Sequence, residues 1–295
     1  MKKNIKFGGD ILDECDFDFN IVIVGLGLIG GSYAMALKEL KPRQICAIDM
    51  DERALEQALE IGIIDKGCKN GKSFLKEADL IIIALYPEET VKFVNDNKQN
   101  FKKSVVITDT CGIKSGIVEK INSFLPEGMD FIGGHPMAGR ESKGLKSASK
   151  DIFQDANYII TPAERNKREN IELIEKMARS MGCKNVVSLT PEEHDKIISY
   201  TSHLPHVIAV SLMNSNMIEN VGLFIAGSFK DATRVANINS TLWSELFALN
   251  SESLVAEIEK FEESIKEIKK AIKSEDKQNL INIFKNASEK RRKMV

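Results

Sequence analysis

One histidine lies in a run of residues that suits proton transfer. Two glycines precede His135 and a proline follows it, within the sequence Gly-Gly-His-Pro-Met-Ala-Gly of residues 133–139. Imidazole titrates near neutral pH, so a histidine on a constrained loop can accept a proton from a carbinol while a hydride leaves. The residues alone support a second interpretation equally well, in which His135 only caps the loop by hydrogen bonding.

A second group of polar residues lies further along the chain. His203 and His206 flank Pro205, which is predicted to interrupt a helix there. With no third ligand apparent, we expect no metal site; the two histidines suit polar packing or substrate contacts. Arg234 could clamp a substrate carboxylate, and Asp231 lies one helical turn before it and could orient it. The alternative for this pair is an ordinary surface ion pair.

A glycine-rich sequence directly follows the first apolar strand candidate, and its context predicts dinucleotide binding. Its glycines would allow a tight turn, leave room for the pyrophosphate and let helix and strand approach closely. The helix that opens there would hold the phosphates with its free N–H groups and its dipole. The sequence is Gly25, Leu26, Gly27, Leu28, Ile29 and Gly30.

An acidic residue ends the second strand candidate. Asp49 is placed to accept hydrogen bonds from the adenosine ribose and to repel a 2′-phosphate, which favours NAD over NADP. Arg53 is the one residue that would favour NADP, but it is interpreted as a solvated helix residue. Leu85, in the loop after the third strand candidate, is also predicted to bind the cofactor.

The elements that must position these residues alternate between short apolar runs and amphipathic segments. This pattern predicts an α/β fold with a doubly wound, mostly parallel Rossmann-type sheet covered on both faces. Strands are predicted at residues 21–24, 44–48, 80–84 and 105–108, and weaker ones at 131–132, 158–160 and 186–189. Helices are predicted at 32–40, 51–60 and 115–123, with another opened by Pro87.

The pattern changes at residue 190. Thr190, Pro191 and Glu193 form a capping box with proline at the first helical position, and no convincing strand follows. We therefore predict a Rossmann domain at residues 1–189, with 1–19 as an N-terminal extension, and an all-α substrate and dimerisation domain at 190–295. A late heptad seam leads into a helical hairpin, and packing on a second subunit or on its own domain explains the seam equally well. The seam consists of Leu254, Ile258, Phe261, Ile265, Ile268 and Ile272.

Composition limits the class of protein. The chain of 295 residues has a net charge of −2 and five cysteines with no Cys-x-x-Cys. These values favour a cytoplasmic protein without nucleic acid or a membrane as partner, and without a disulfide framework. No apolar run approaches the roughly 20 residues that span a bilayer.

The motifs together resemble one family, the prephenate dehydrogenases of tyrosine biosynthesis, which also include arogenate dehydrogenases. The resemblance rests on four segments in the family's order: GLGLIGGS at 25–32, GGHPMAG at 133–139, TSHLPH at 201–206 and DATR at 231–234. It implies NAD-dependent oxidative decarboxylation of prephenate to 4-hydroxyphenylpyruvate, carried out by a homodimer built through the helical domain.

The resemblance also implies roles for individual residues. His135 matches the histidine that accepts the hydroxyl proton, His203 a histidine near the substrate, and Arg234 the arginine that binds a substrate carboxylate. Lys114 matches a lysine of the family, and it is predicted to be catalytic together with His135 and His203. Two positions depart from the family: Gly112 stands where many members carry a serine, which Ser115 or a water could replace, and Arg140 stands where small hydroxyl residues occur. Arg140 is then an extra carboxylate or phosphate contact, or only a loop charge.

Three other functions stay open. Arogenate dehydrogenase differs only in the side chain of its substrate, and no residue distinguishes the two. A β-hydroxyacid dehydrogenase would need a catalytic lysine, for which Lys196 is the candidate, but no recognisable motif surrounds it. An NAD-sensing binding protein would leave His135, His203 and Arg234 without a shared purpose.

Overall fold

The computed structural model describes residues 6–7, 10–11, 17–140, 142–215, 218 and 220–294. Most of the predicted N-terminal extension thus lies outside the described residues. The strands described are β1 (Lys6–Phe7), β2 (Asp10–Ile11), β3 (Asn20–Val24), β4 (Gln44–Ile48), β5 (Lys66–Cys68), β6 (Leu80–Ile83), β7 (Val106–Asp109), β8 (Asp130–Pro136), β9 (Asn157–Thr161) and β10 (Asn185–Ser188). The α-helices described are α1 (Leu28–Lys38), α2 (Glu52–Glu60), α3 (Lys72–Glu77), α4 (Pro87–Asn97), α5 (Ile117–Phe124), α6 (Arg168–Ser180), α7 (Pro191–Ile198), α8 (Leu204–Ser215), α9 (Gly227–Thr233), α10 (Ser240–Leu249), α11 (Ser251–Lys273) and α12 (Lys277–Lys293).

Eight strands form one sheet in the order β10-β9-β8-β7-β6-β3-β4-β5. The strands from β5 to β8 pair in parallel, as predicted, and β8 then pairs antiparallel with β9. Alternate residues of the central strands enter two separate apolar cores: Ile21 and Ile23 lie in one, Val22 and Val24 in the other. Both faces of the sheet are therefore covered, which explains why its strands are apolar throughout.

Two differences from the predicted elements affect the site. β8 extends to Pro136, so the prediction of a loop around His135 was wrong: His135 is a strand residue paired with Ile159. The glycines of residues 133–134 hid this strand, because their β-propensity is low and the pairing with β9 is non-local. The first helix begins at Leu28, inside the glycine-rich sequence, rather than at residue 32.

After β10 the residues that the structure describes form helices joined by short connections, and no strand. The capping box at Thr190 opens α7, with side-chain and backbone bonds in both directions. Pro205 does not interrupt the helix as predicted: a π-helical turn, Ser199–His203, passes directly into α8. Proline has no backbone N–H to donate, and the wider i to i−5 bonding of the π-helical turn directly before it lets the helix continue through this position. The predicted hairpin is α11 and α12.

None of the described helices is long and apolar enough to cross a membrane.

Candidate active site

A cavity of about 640 Å³ opens beyond the carboxyl ends of β3, β6, β7 and β8. This is the place where open α/β sheets bind ligands. Its far wall comes from the helical segment, through the π turn before α8, residues 235 and 237–239, and α10. The predicted site residues that line it are Gly27, Leu28, Ile29, Leu85, His135, Arg140, His203 and His206.

The glycine-rich turn has the construction that its sequence predicts. Gly25 has φ +90°, and a Cβ there would lie 2.6 Å from the carbonyl oxygen of Ala84. A Cβ on Gly30 would lie 1.8 Å from the carbonyl oxygen of Gly25, so helix α1 packs directly on the turn. A Cβ on Gly27 would meet nothing within 4 Å. Gly27 lines the cavity, so the space beside it fits a bound pyrophosphate.

Asp49 lies beside this turn and also holds it in place. The backbone N–H of Leu26 donates to Asp49 Oδ2 at 2.5 Å, and the N–H of Asp51 donates to Oδ1 at 2.8 Å. A carboxylate oxygen has more than one lone pair, so both oxygens keep capacity for ribose hydroxyls. The bond to Leu26 is a structural role that sequence reasoning missed.

His135 presents one ring nitrogen to the cavity and the other to the protein. Its Nδ1 lies 2.8 Å from Nε2 of His194. A Cβ built on Gly112, in the cavity wall, would lie 3.8 Å from His135 Nε2. Burial lowers the pKa of His135 well below its usual value, and charge on His194, Lys114 and His203 would lower it further. The ring is therefore neutral at pH 7, as a base must be.

Behind His135 lie two residues that sequence reasoning missed. His194 is fully buried, and its Nδ1 lies 2.6 Å from Oδ1 of Asp195. Asp195 also accepts hydrogen bonds from the backbone N–H groups of Lys114 and Ser115. Both residues belong to the first turns of α7, and Ile198 lies on the same buried side. That periodicity was visible in the sequence, but the contact with β8 was not.

Lys114 lies beneath the cavity rather than in its lining. Its Nζ donates to Asp109 Oδ2 at 2.5 Å, and neither side chain is exposed. Asp109 also accepts from the backbone N–H groups of Cys111 and Gly134. The ion pair therefore ties the loop after β7 to the strand that carries His135. Ser115 likewise lies outside the cavity lining, whereas Gly112 is part of it.

The aromatic part of the site comes from the helical segment. His206 stacks on Trp243 with ring centroids 3.6 Å apart, and its Nδ1 lies 2.8 Å from the carbonyl oxygen of Ser202. His203 packs edge-on against Trp243, and burial lowers its pKa to about 4. Trp243 lines the cavity and was missed, because nothing in the local sequence of α10 distinguishes it from a core residue.

The predicted carboxylate clamp lies at the edge of this region. Asp231, in α9, and Arg234, in the following 3₁₀ turn, are both exposed, and neither lines the cavity, although Val235 does. Arg140 does line the cavity, together with Lys143. Both cations follow directly from the strand that carries His135.

Two polar contacts connect the walls of the cavity. Asn239 Nδ2 donates to the hydroxyl of Tyr86 at 2.7 Å, and the backbone N–H of Glu88 donates to Glu245 Oε1 at 2.6 Å. Tyr86 and Glu88 lie at the start of α4, so the helical segment is held against the loop after β6.

Comparisons with known proteins agree with this arrangement. Two family models match consecutive parts of the chain: prephenate dehydrogenase, nucleotide-binding domain, over residues 33–194, and prephenate dehydrogenase, dimerization domain, over residues 190–286.

Curated relatives extend over most of the chain. A prephenate dehydrogenase of Bacillus subtilis is 34% identical, with 92% of this chain and 75% of the relative covered. A cyclohexadienyl dehydrogenase of Zymomonas mobilis is 30% identical, with 92% and 94% covered.

The solved structure of prephenate dehydrogenase from Aquifex aeolicus, in complex with hydroxyphenyl propionate and NAD⁺, is 27% identical. It superimposes with a TM-score of 0.85 and covers 93% of this chain and 98% of its own. Synechocystis arogenate dehydrogenase, 24% identical with a TM-score of 0.80 over 93% of this chain and 99% of its own, shares the fold. By its two domain matches and its relatives, this chain belongs to the prephenate dehydrogenase family.

Proposed function

We propose that this chain is an NAD-dependent dehydrogenase that converts prephenate to 4-hydroxyphenylpyruvate and CO₂. One observation carries the proposal: the glycine-rich turn and the imidazole of His135 line the same cavity. A dinucleotide on the turn and a hydroxyl beside His135 would then be neighbours. The A. aeolicus relative holds NAD⁺ and a hydroxyphenyl compound, which fits this assignment.

The cofactor site fits NAD through residues of this chain. The open space at Gly27 accommodates a pyrophosphate, the first turn of α1 offers its N–H groups, and Asp49 offers acceptors to the adenosine ribose. NAD, when bound, supplies the acceptor for a hydride. Asp49 disfavours a 2′-phosphate by charge.

His135 is assigned as the base. Its neutral imidazole accepts the proton of the substrate hydroxyl at Nε2 while the C–H bond of the same carbon breaks. Loss of CO₂ then makes the ring aromatic, so the protein's task is orientation and placement of charge. His203 and His206, with Trp243, form the wall against which the substrate ring lies.

The charge of the cavity suits a substrate with two carboxylates. Arg140 and Lys143 line it, and no carboxylate does so within the part of the chain that the structure describes. Such a lining suits the two carboxylates that prephenate and arogenate share. Arg234 is proposed as a further carboxylate contact.

A β-hydroxyacid dehydrogenase is disfavoured by the position of its candidate lysine. Lys196 is exposed on α7 and does not line the cavity. The solved 3-hydroxyisobutyrate dehydrogenase of Mycobacterium tuberculosis is 12% identical with a TM-score of 0.55, a likeness of fold alone.

The proposed enzyme is a homodimer. Large apolar side chains are exposed across its helical segment, with Leu223 82% and Phe224 78% exposed. Such a surface marks an association site, and a second copy of this chain fits the dimerization-domain match. Light scattering during gel filtration should give twice the chain mass of 32.9 kDa, whereas the single mass would contradict this. The exposed apolar side chains of the helical segment also include Met213, Val255, Ile265, Ile272, Ile281 and Phe284.

The activity is tested by following NADH at 340 nm with prephenate and with arogenate, each with NAD and with NADP. Turnover of prephenate with NAD supports the proposal. Turnover of arogenate alone would contradict the substrate assignment. Cofactor binding without turnover of either compound would contradict the dehydrogenase assignment.

A further inference from the structure

We propose that His194 and Asp195 are positioning residues that hold His135 in the tautomer with Nδ1 protonated and Nε2 bare. The three side chains form one chain of hydrogen bonds that leads from a buried carboxylate to the cavity. The inference rests on the proposed function only for the substrate hydroxyl from which the bare Nε2 would accept a proton.

The donor-to-acceptor direction of these hydrogen bonds is set at Asp195. Its Oδ1 accepts from the backbone N–H of Lys114 at 2.8 Å, and its Oδ2 accepts from that of Ser115 at 2.7 Å. Backbone amides can only donate, so both carboxyl oxygens of Asp195 act as acceptors. Asn250 Nδ2 donates to the Asp195 carbonyl at 2.9 Å and fixes the residue from the other side.

Each ring then has one possible tautomer. Because the carboxylate only accepts, the hydrogen between Asp195 and His194 belongs to Nδ1 of His194. Neutral imidazole carries one hydrogen, so Nε2 of His194 must accept, and Nδ1 of His135 must donate to it. The lone pair of His135 is left on Nε2, which faces Gly112 in the cavity wall.

This assignment requires both rings to be neutral before reaction. Burial is the main cause that lowers the pKa of His135 and of His194, and the charge of Lys114 adds to it at both rings. The acidic groups nearby are Asp195, bonded to His194, and Asp109, whose charge is opposed by Lys114.

The same hydrogen bonds stabilise His135 after it has accepted the substrate proton. When Nε2 of His135 accepts a proton, the ring becomes a cation that still donates from Nδ1. Negative charge on Asp195 then acts through His194 on that cation, in a region shielded from water. A merely structural role, in which the three residues only pin α7 against β8, predicts that a folded His194 variant with normal NAD affinity keeps its kcat.

The tautomer can be measured without substrate. The chain has four histidines, so ¹⁵N-histidine labelling gives a simple spectrum in which protonated and bare ring nitrogens are well separated. His135→Asn identifies the signals of that ring. At pH 7 we expect Nδ1 of His135 to be protonated and Nε2 to be bare. A proton on Nε2 would overturn the proposal, whatever reaction the protein catalyses.

Two substitutions at His194 test the effect on turnover. His194→Leu removes the acceptor for His135, and we expect kcat to fall roughly 10²-fold with KM for prephenate changed less than about threefold. His194→Gln places an amide oxygen near the lost Nε2, so kcat should recover to within about tenfold of wild type.

The controls separate folding from positioning. Lys196→Ala, on the exposed side of the same helix, should leave kcat unchanged. Wild-type kcat in His194→Leu, or equal losses in the Leu and Gln variants at normal NAD affinity, would overturn the proposal. If His194→Leu does not fold, the Gln variant and the wild-type spectrum still decide it. Absence of turnover in the wild type would refute the proposed function but leave the tautomer result standing.

Discussion

Gly27→Ala should separate cofactor binding from folding. The added methyl group meets no protein atom within 4 Å, and Gly27 has φ −72°, which alanine adopts without strain. Folding should therefore be unharmed, and the gain from a less flexible unfolded chain is about 0.4–1 kcal/mol. Gly30→Ala is the matched control that should impair folding, because its methyl group would lie 1.8 Å from the carbonyl oxygen of Gly25.

The expected loss of affinity follows from the bonds at stake. The methyl group of Gly27→Ala occupies the open cavity beside α1, where the pyrophosphate is proposed to lie. Displacing the phosphates from one charge-assisted hydrogen bond costs about 1.5–3 kcal/mol. Since about 1.4 kcal/mol is a factor of ten, the Kd for NAD should rise about 10- to 150-fold.

The assay uses the protein's single tryptophan, Trp243, which lines the same cavity. Its fluorescence should report NAD titrations, and urea unfolding should give stability. We expect Gly27→Ala to keep or slightly raise its unfolding midpoint and to lose affinity for NAD. We expect Gly30→Ala to lose about 1–3 kcal/mol or more of stability from overpacking. Unchanged NAD affinity in Gly27→Ala would refute the placement of the phosphates at this turn.

Three further outcomes are expected. His135→Asn should lower kcat roughly 10²- to 10⁴-fold with NAD affinity unchanged, since a general base is lost, and near-wild-type turnover would refute that role. Arg234→Ala should raise KM for prephenate about 10- to 150-fold, the value of one charge-assisted bond, and an unchanged KM would rule out the clamp. The free energy of unfolding should fall as the pH drops from 7 to 5. The pKa values of His135, His194 and His203 are lowered in the fold, that of His203 to about 4, so below about pH 6.5 the unfolded chain binds protons that the folded chain does not. Each such histidine contributes up to about 1.4 kcal/mol per pH unit to this fall in the free energy of unfolding. His203→Asn should therefore make the fall shallower. Equal stability at pH 7 and pH 5 would contradict the burial of these rings.

Local sequence was sufficient for the parts of this protein that depend on neighbours along the chain. The parallel strands, the capping box at Thr190 and the hairpin of α11 and α12 were predictable, because periodicity and caps are short-range signals. The glycine-rich turn was predictable for the same reason: each glycine answers a steric demand made within a few residues or by the adjoining strand.

Weakly patterned elements were not predictable. The edge strand β5 was missed because Lys-Gly-Cys carries no apolar alternation and gains order only by pairing with β4. The extension of β8 to Pro136 was missed because its antiparallel partner β9 lies more than twenty residues away in sequence.

The sequence by itself determined which residue types can do the chemistry: a histidine after two glycines, an acidic strand end and a phosphate-binding turn. Only the tertiary structure decided which groups meet. It placed His194 and Asp195 of α7 behind His135, put Lys114 on Asp109 below the cavity and left Arg234 at its edge. The physical reason is that hydrogen bonds and ion pairs act over a few ångströms in space, and no short-range pattern records which distant backbone amides will hold a carboxylate.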